Sequence, residues 1–93
     1  MVKGGESMAL KEYDGTQELK GLVTFSAPWC GYCKFVAPKL EAQEEEILKV
    51  NIEQYEDIAK KYEVMSIPAL LEIDGDEVKQ RYTGFNEISN HLE

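Results

Sequence analysis

The sequence predicts an α/β fold, a central mixed β-sheet of four to five strands flanked by about four α-helices. Three observations predict it. Leu22 to Ser26 is almost continuously apolar, as a strand covered on both faces is. Two segments, Gly31 to about Gln43 and Tyr55 to Tyr62, instead carry apolar residues at helical spacing. Asp74-Gly75-Asp76 separates two short strand-like runs, which is a hairpin signal. The implied order is β-α-β-α-β-α-β-β-α, with parallel crossovers building the first part of the sheet and one hairpin closing the second.

Residues 1–7 read as a flexible tail, and residues 8–93 as a single domain. Met8 to Tyr13 alternates apolar and polar residues, which predicts a short edge strand ended by Asp14-Gly15. Thr16 to Lys20 is predicted as a brief helix, with Thr16 as cap and Gly21 as stop. The central strand follows, and then the first long helix, with Cys33, Val36, Ala37 and Leu40 on one side. Pro38 lies inside that helix and removes a backbone hydrogen bond there. The acidic run Glu44-Glu45-Glu46 is a solvated connection into a strand over Ile47–Ile52. Tyr55, Ile58, Ala59 and Tyr62 mark a second helix at i, i+3, i+4 and i+7. A turn at Ile67-Pro68 leads into a strand through Ile73, and Val78 to Tyr82 returns antiparallel. Gly84 breaks the pattern, and Asn86 is placed to cap a last helix whose Ile88 and Leu92 pack inward behind Phe85. Phe25, Phe35, Tyr55 and Tyr62 are predicted core aromatics.

Ninety-three residues suffice for one core and no second one. A hydrophobic content of 43% describes a folded chain rather than a disordered one. The net charge of −8, with no basic stripe, excludes nucleic acid and anionic membrane as partners. No apolar run is long enough to span a bilayer, and the first seven residues lack the apolar core of a secretory signal. The expectation is therefore a cytoplasmic monomer.

The chemistry concentrates in Ala27-Pro28-Trp29-Cys30-Gly31-Tyr32-Cys33-Lys34, which holds both cysteines of the chain between a strand and a helix start. Residues i and i+3 on a helix stand about 5–6 Å apart at Cβ, so small adjustments bring the two sulfurs to disulfide distance. Cys30 falls around the helix N-cap, where free N–H groups and the macrodipole favour an anion. Its thiol should ionise more readily than a free one. Lys34 adds a small, screened positive charge. Cys33, one turn in, is expected to be the less exposed sulfur. Cys30 would then attack a disulfide, and Cys33 would resolve the mixed disulfide. A structural disulfide is the bland alternative. A zinc site needs two further ligands, which His91 alone does not supply, so no metal is expected.

At this point the chain resembles the thioredoxin family. Five stretches carry the resemblance in order: Val23 to Lys34 with Trp29-Cys30-Gly31-x-Cys33-Lys34, Val36-Ala37-Pro38, Lys49 to Glu53, Ile67 to Leu71, and Gly75 to Val78 followed by Gly84. The resemblance covers about residue 8 to the end and implies a thioredoxin-like fold. It also implies a cis peptide bond between Ile67 and Pro68, with Pro68 beside the disulfide and offering a backbone edge to a bound peptide. Trp29 becomes a surface residue shielding the site, and Gly84 a small residue bordering the substrate groove. The implied activity is reduction of protein disulfides, with no bound cofactor beyond the redox-active Cys30–Cys33 pair. The implied partners are disulfide-containing proteins and a flavin-dependent thioredoxin reductase using NADPH.

Three departures stand out. Thr24 occupies the place where thioredoxins usually have a buried aspartate that helps deprotonate the second cysteine. Threonine does not titrate in the working range, so the Cys33 proton needs another exit, for example through water. Lys49, which matches the lysine near that aspartate, is expected to turn to solvent or to another acid. Tyr32 replaces the usual proline between the cysteines, which removes a fixed φ and restores a backbone N–H. A further donor near the thiolate would make the couple less reducing than a typical thioredoxin. Finally, Leu40 to Lys49 is short, so the main helix should end early. Tyr32 also resembles the Cys-Pro-Tyr-Cys motif of glutaredoxins, which makes a glutathione-dependent reductase the alternative enzyme. Trp29 and the lack of a paired glycine after the hairpin oppose it. A third possibility is a redox-inactive binding module on the same fold, against which the intact cysteine pair stands.

Overall fold

The computed structural model describes residues 10–92. The expected tail at 1–7, and Met8 and Ala9 of the first strand, lie outside the described residues. The elements are β1 (Leu10–Glu12), β2 (Lys20–Ser26), α1 (Gly31–Glu41), β3 (Ile47–Asn51), α2 (Glu56–Lys61), β4 (Ala69–Asp74), β5 (Glu77–Thr83) and α3 (Gly84–Leu92). The strands form one sheet in the order β1-β3-β2-β4-β5. β1 and β2 both run parallel to β3, while β4 runs antiparallel to β2 and to β5. The mixed sheet and the closing hairpin match the sequence-based expectation, with three helices in place of about four.

The missing helix is the one expected at Thr16–Lys20. The Asp14 carboxylate accepts from both the backbone N–H and the hydroxyl of Thr16, at 3.0 and 2.6 Å. Gln17 accepts from the Asp14 N–H and donates to the Glu12 carbonyl. These local side-chain bonds satisfy the backbone without a helix, and five residues are too few to nucleate one against them. The Thr16 hydroxyl, and then its N–H, hold the Asp14 carboxyl below its ordinary range.

β2 reads as a buried central strand because it has a neighbour on each side and cover on each face. Alternation sends Val23 and Phe25 to one face, where they join Leu48, Val50, Leu71, Ile73, Ala59 of α2 and Tyr62 just after it. On the other face Ile47 and Leu70 pack with Val36 and Leu40 of α1 and Ile88 of α3. Phe25 and Tyr62 are core, as expected, and Tyr55 is half-buried with its ring edge-on to Tyr13 at 4.8 Å.

Phe35 is not core; it is 64% exposed. The helical phase that buries Val36 and Leu40 turns Phe35 about 100° away, to where its ring meets those of Tyr32 and Phe85. Nor is Asn86 the cap of α3. The helix begins at Gly84, and the Glu87 carboxylate accepts the Thr83 N–H at 2.8 Å, which satisfies a donor that would otherwise be orphaned. α1 ends at Glu41, as the shortened segment predicts, and Pro38 leaves the Lys34 carbonyl without its usual donor.

The hairpin turn is Gly75-Asp76, with Asp74 and Glu77 paired across it. Gly75 has φ +66°, a conformation that two-residue turns require and that glycine adopts freely. A set of bonds ties α2 to this region. The Tyr62 hydroxyl donates to the Gly75 carbonyl at 2.9 Å. Arg81 of β5 donates to the carbonyls of Tyr62 and Glu63, just past the end of α2. Lys61 pairs with Asp76 at 2.9 Å, which depresses the Asp76 carboxyl and raises the Lys61 ammonium. Both side chains are exposed, so the pair itself adds little.

Candidate active site

The site forms where β2 ends and α1 begins, at the carboxyl edge of the parallel strands. Ser26 closes β2, and the turn Ala27-Pro28-Trp29 carries the chain to Cys30, whose N–H donates to the Ala27 carbonyl at 3.1 Å. Cys30 is the N-cap of α1, with extended backbone, and its sulfur accepts the Cys33 N–H at 3.2 Å. The two cysteines are joined as a disulfide with a Cα separation of 5.3 Å. One turn of helix thus sets the span between the sulfurs, and the open helix end supplies a donor to Cys30. The donor that reaches Cys30 is the Cys33 N–H; among the described residues, no bond from the Tyr32 N–H to this sulfur accompanies it.

The expected order of exposure is reversed. Cys30 is 6% exposed, whereas Cys33 is half-buried. Cys33 borders a cavity of about 160 Å³ together with Thr24, Ser26, Val36, Lys49 and Pro68. Thr24 is buried there and donates its hydroxyl to the Ala69 carbonyl at 2.9 Å. Lys49, expected to turn to solvent or to another acid, is half-buried and borders this cavity instead.

On the outer side, Trp29 and Tyr32 are 64% and 63% exposed. The Trp29 indole N–H donates to the Glu53 carboxylate, a bond that sequence reasoning missed. The signal was the parallel pairing of β2 with β3, which brings residues after Asn51 to the same sheet edge as Trp29. The Ile67–Pro68 peptide is cis. Its segment joins β4 to the site, and the Pro68 carbonyl accepts the Gly84 N–H at 2.8 Å. A surface groove runs between Tyr32, Ile67, Pro68, Gly84 and Phe85. Gly84 holds φ +90°, which a side chain would strain although the space beside it is open. Gly31 opens α1 with nothing against its missing side chain, and Lys34 is exposed on the same turn. Of the expected site residues, Tyr32, Ile67, Pro68 and Gly84 share this groove, Pro68 also borders the cavity with Cys33, and Trp29 and Gly31 flank Cys30 along the chain.

Among the described residues, no three His, Cys, Asp or Glu side chains stand together as a metal site, and no helix is long and apolar enough to cross a membrane. The thioredoxin family model matches residues 7–93. The chain belongs to the thioredoxin family. It is 42% identical over 76 residues to the thioredoxin of Bacillus subtilis, covering 75% of this chain and 73% of that one. With thioredoxin 1 of Chlorobaculum tepidum it shares 39% identity over 75 residues, 74% of each chain. The crystal structure of Fasciola hepatica thioredoxin superposes with a TM-score of 0.66 at 38% identity, covering 77% of each chain. Thioredoxins are thiol–disulfide oxidoreductases that reduce protein disulfides. This chain shares that activity class, and its Cys30–Cys33 pair is in the disulfide form such a cycle passes through.

Proposed function

We propose that Cys30 is the nucleophile and Cys33 the resolving thiol of a protein-disulfide reductase. The observation that carries the assignment is the Cys33 N–H donating to the Cys30 sulfur at the open end of α1. A donor and a helix N-terminus stabilise a thiolate, so Cys30 is the sulfur that ionises in the reduced protein. Its thiolate attacks one sulfur of a substrate disulfide, and the other substrate sulfur leaves as a thiolate and takes a proton from solvent. Cys33 then loses its proton and attacks the Cys30 sulfur. The bond to substrate breaks, the Cys30–Cys33 bond forms, and the substrate has gained two electrons. No cofactor takes part beyond the disulfide itself. Trp29, Gly31, Tyr32, Ile67, Pro68 and Gly84 line the surface on which an extended substrate segment lies, and exposed Lys34 adds a weak positive potential.

The partners in this reading are disulfide-containing proteins, with a flavin-dependent, NADPH-using thioredoxin reductase restoring the dithiol in the cytoplasm to a monomeric protein. Insulin reduction tests it, run with NADPH and thioredoxin reductase in one arm and glutathione with glutathione reductase in the other. Turnover in the first arm alone is expected. Turnover in the second arm alone would move the chain to glutathione-dependent chemistry, to which Tyr32 bears a likeness.

Tyr32 also bears on the redox poise. In place of proline it leaves one more backbone N–H beside the first turn of α1. In the disulfide form, among the described residues, that N–H makes no bond to the Cys30 sulfur, so this role requires it to reach the thiolate on reduction. Tyr32→Pro then makes the couple more reducing, by about 30 mV for each 1.4 kcal/mol of thiolate stabilisation removed. Equilibration against a glutathione buffer reads the shift. A variant with an unchanged or more oxidising couple would refute this role.

A further inference from the structure

Three aromatic rings from two helices meet at the groove. Tyr32 and Phe35 of α1 and Phe85 of α3 form a triangle with centroid separations of 6.3, 5.9 and 6.5 Å, all within the range of attractive ring pairs. Phe85 is half-buried on the core that holds Val36, Leu40 and Ile88, and the N–H of Gly84 before it is fixed to the Pro68 carbonyl. Its ring is the anchored wall of the triangle. Tyr32 and Phe35 are largely open to water. Of the four large apolar side chains exposed among the described residues, three, Trp29, Tyr32 and Phe35, lie within five residues of Cys30. Exposed rings add little to the stability of a fold, and a contiguous apolar patch marks a contact surface.

What covers the patch follows from its surroundings. Tyr32 and Phe85 border the groove with Ile67, Pro68 and Gly84, and Phe35 extends that groove along α1. A protein disulfide being reduced brings its own chain to this end of α1. Among the described residues the charged side chain along the groove is Glu87, and it is engaged by the Thr83 N–H, so the demand on a ligand is apolar. A second copy of the chain would bring the same net charge of −8, which opposes self-association. Reach sets the position. Phe35 is five residues past Cys30, about 7.5 Å along the helix axis. An extended chain covers that distance in about two residues, at about 3.3 Å each, and side chains two apart on such a chain share a face.

We propose that Tyr32, Phe35 and Phe85 determine specificity by seating a large apolar side chain, best an aromatic one, two residues from the cysteine that Cys30 attacks in a protein substrate. The inference rests on Cys30 being the attacking thiol and adds nothing to the chemistry of the exchange. A substrate ring in the triangle meets all three rings, and its burial and ring contacts together favour it over a methyl group by about fivefold or more.

The test uses three blocked pentapeptides, each as its symmetrical disulfide. In the first, cysteine is flanked on both sides by glycine and then phenylalanine; in the second, by glycine and then alanine; in the third, by phenylalanine and then glycine. Each is mixed in excess with the reduced protein, and quenched-flow chromatography of the released peptide thiol gives a second-order rate constant. The wild type should react about fivefold faster with the first than with the second, and the third should match the second. Phe35→Ala and Phe85→Ala should each bring the ratio of first to second close to one, while Phe35→Tyr should keep it. A general loss of structure lowers both rates together and leaves their ratio alone. Equal rates for the first two peptides in the wild type, a ratio that survives Phe35→Ala, or a third peptide as fast as the first would overturn the proposal. So would a wild type that sediments as a dimer and a Phe35→Ala variant that does not, which would give the patch to a second copy. A protein that no peptide oxidises would overturn the thiol roles themselves, and the proposal with them.

Discussion

Cys30→Ser is expected to reduce insulin no faster than the reductant alone, whereas Cys33→Ser should complete one attack and stop. In the proposed cycle the two outcomes differ because the sulfurs act at different steps. Serine at residue 30 removes the sulfur that accepts the Cys33 N–H at the open end of α1, and a hydroxyl in that place is not a thiolate at neutral pH. With serine at residue 33, Cys30 still attacks but nothing expels the substrate, so a mixed disulfide accumulates to about one equivalent. Mass spectrometry of the Cys33→Ser protein after exposure to a disulfide reads that adduct directly, and mild reduction should release it. Turnover that survives Cys30→Ser would reverse the two roles. A Cys33→Ser protein that turns over without trapping would show that an external thiol does the resolving.

The largest effect on stability is expected from Phe25→Ala. Phe25 is fully buried near the carboxyl end of β2, opposite Val50 on one neighbouring strand and Ala69 on the other. Removing a ring that size from a closely packed core costs about 3–5 kcal/mol. A domain this small has about 5–15 kcal/mol in all, so the urea midpoint should fall by roughly a fifth or more with little change in slope. Phe35→Ala provides the contrast: the ring is largely exposed, and its loss should change stability by about 0.5 kcal/mol or less. Equal costs for the two variants would mean that the core is not centred on β2.

What was legible in the sequence was local. Leu22–Ser26 carries its strand assignment in its own composition, and Asp74-Gly75-Asp76 carries its turn in one glycine. The placement of Cys30 at a helix start follows from the strand before it and the periodicity after it. Cys33, Val36 and Leu40 then share a face by spacing alone. The misreadings arose where two local rules compete or where a distant element decides. Thr16 resembles a cap until Asp14 takes both its N–H and its hydroxyl. Asn86 has the right chemistry for a cap, but Glu87, one residue on, reaches the donor instead. Phe35 is apolar on an amphipathic helix, and only the phase set by Val36 and Leu40 shows that it faces outward. Lys49 needed the strand order, because its face is defined by which helix covers Thr24. The relative exposure of the two cysteines is likewise set by packing from several segments, and Cys33 borders a cavity that no single segment encodes.

The bonds that join α2 to the β4–β5 hairpin bear on how the domain opens in time. α2 has six residues, too few to persist as an isolated helix in water. The carbonyls of Tyr62 and Glu63, just past its end, are held by Arg81, and the Tyr62 hydroxyl reaches back to the turn at Gly75. A fluctuation that frees α2 must therefore release the hairpin turn and the middle of β5 as well, so these stretches open as one cooperative unit. β2 and the Cys30 end of α1 are not part of those attachments. Transient opening on the α2 side can thus leave the dithiol and its groove assembled, and amide protons there should outlast those of α2 and the hairpin turn in exchange with solvent.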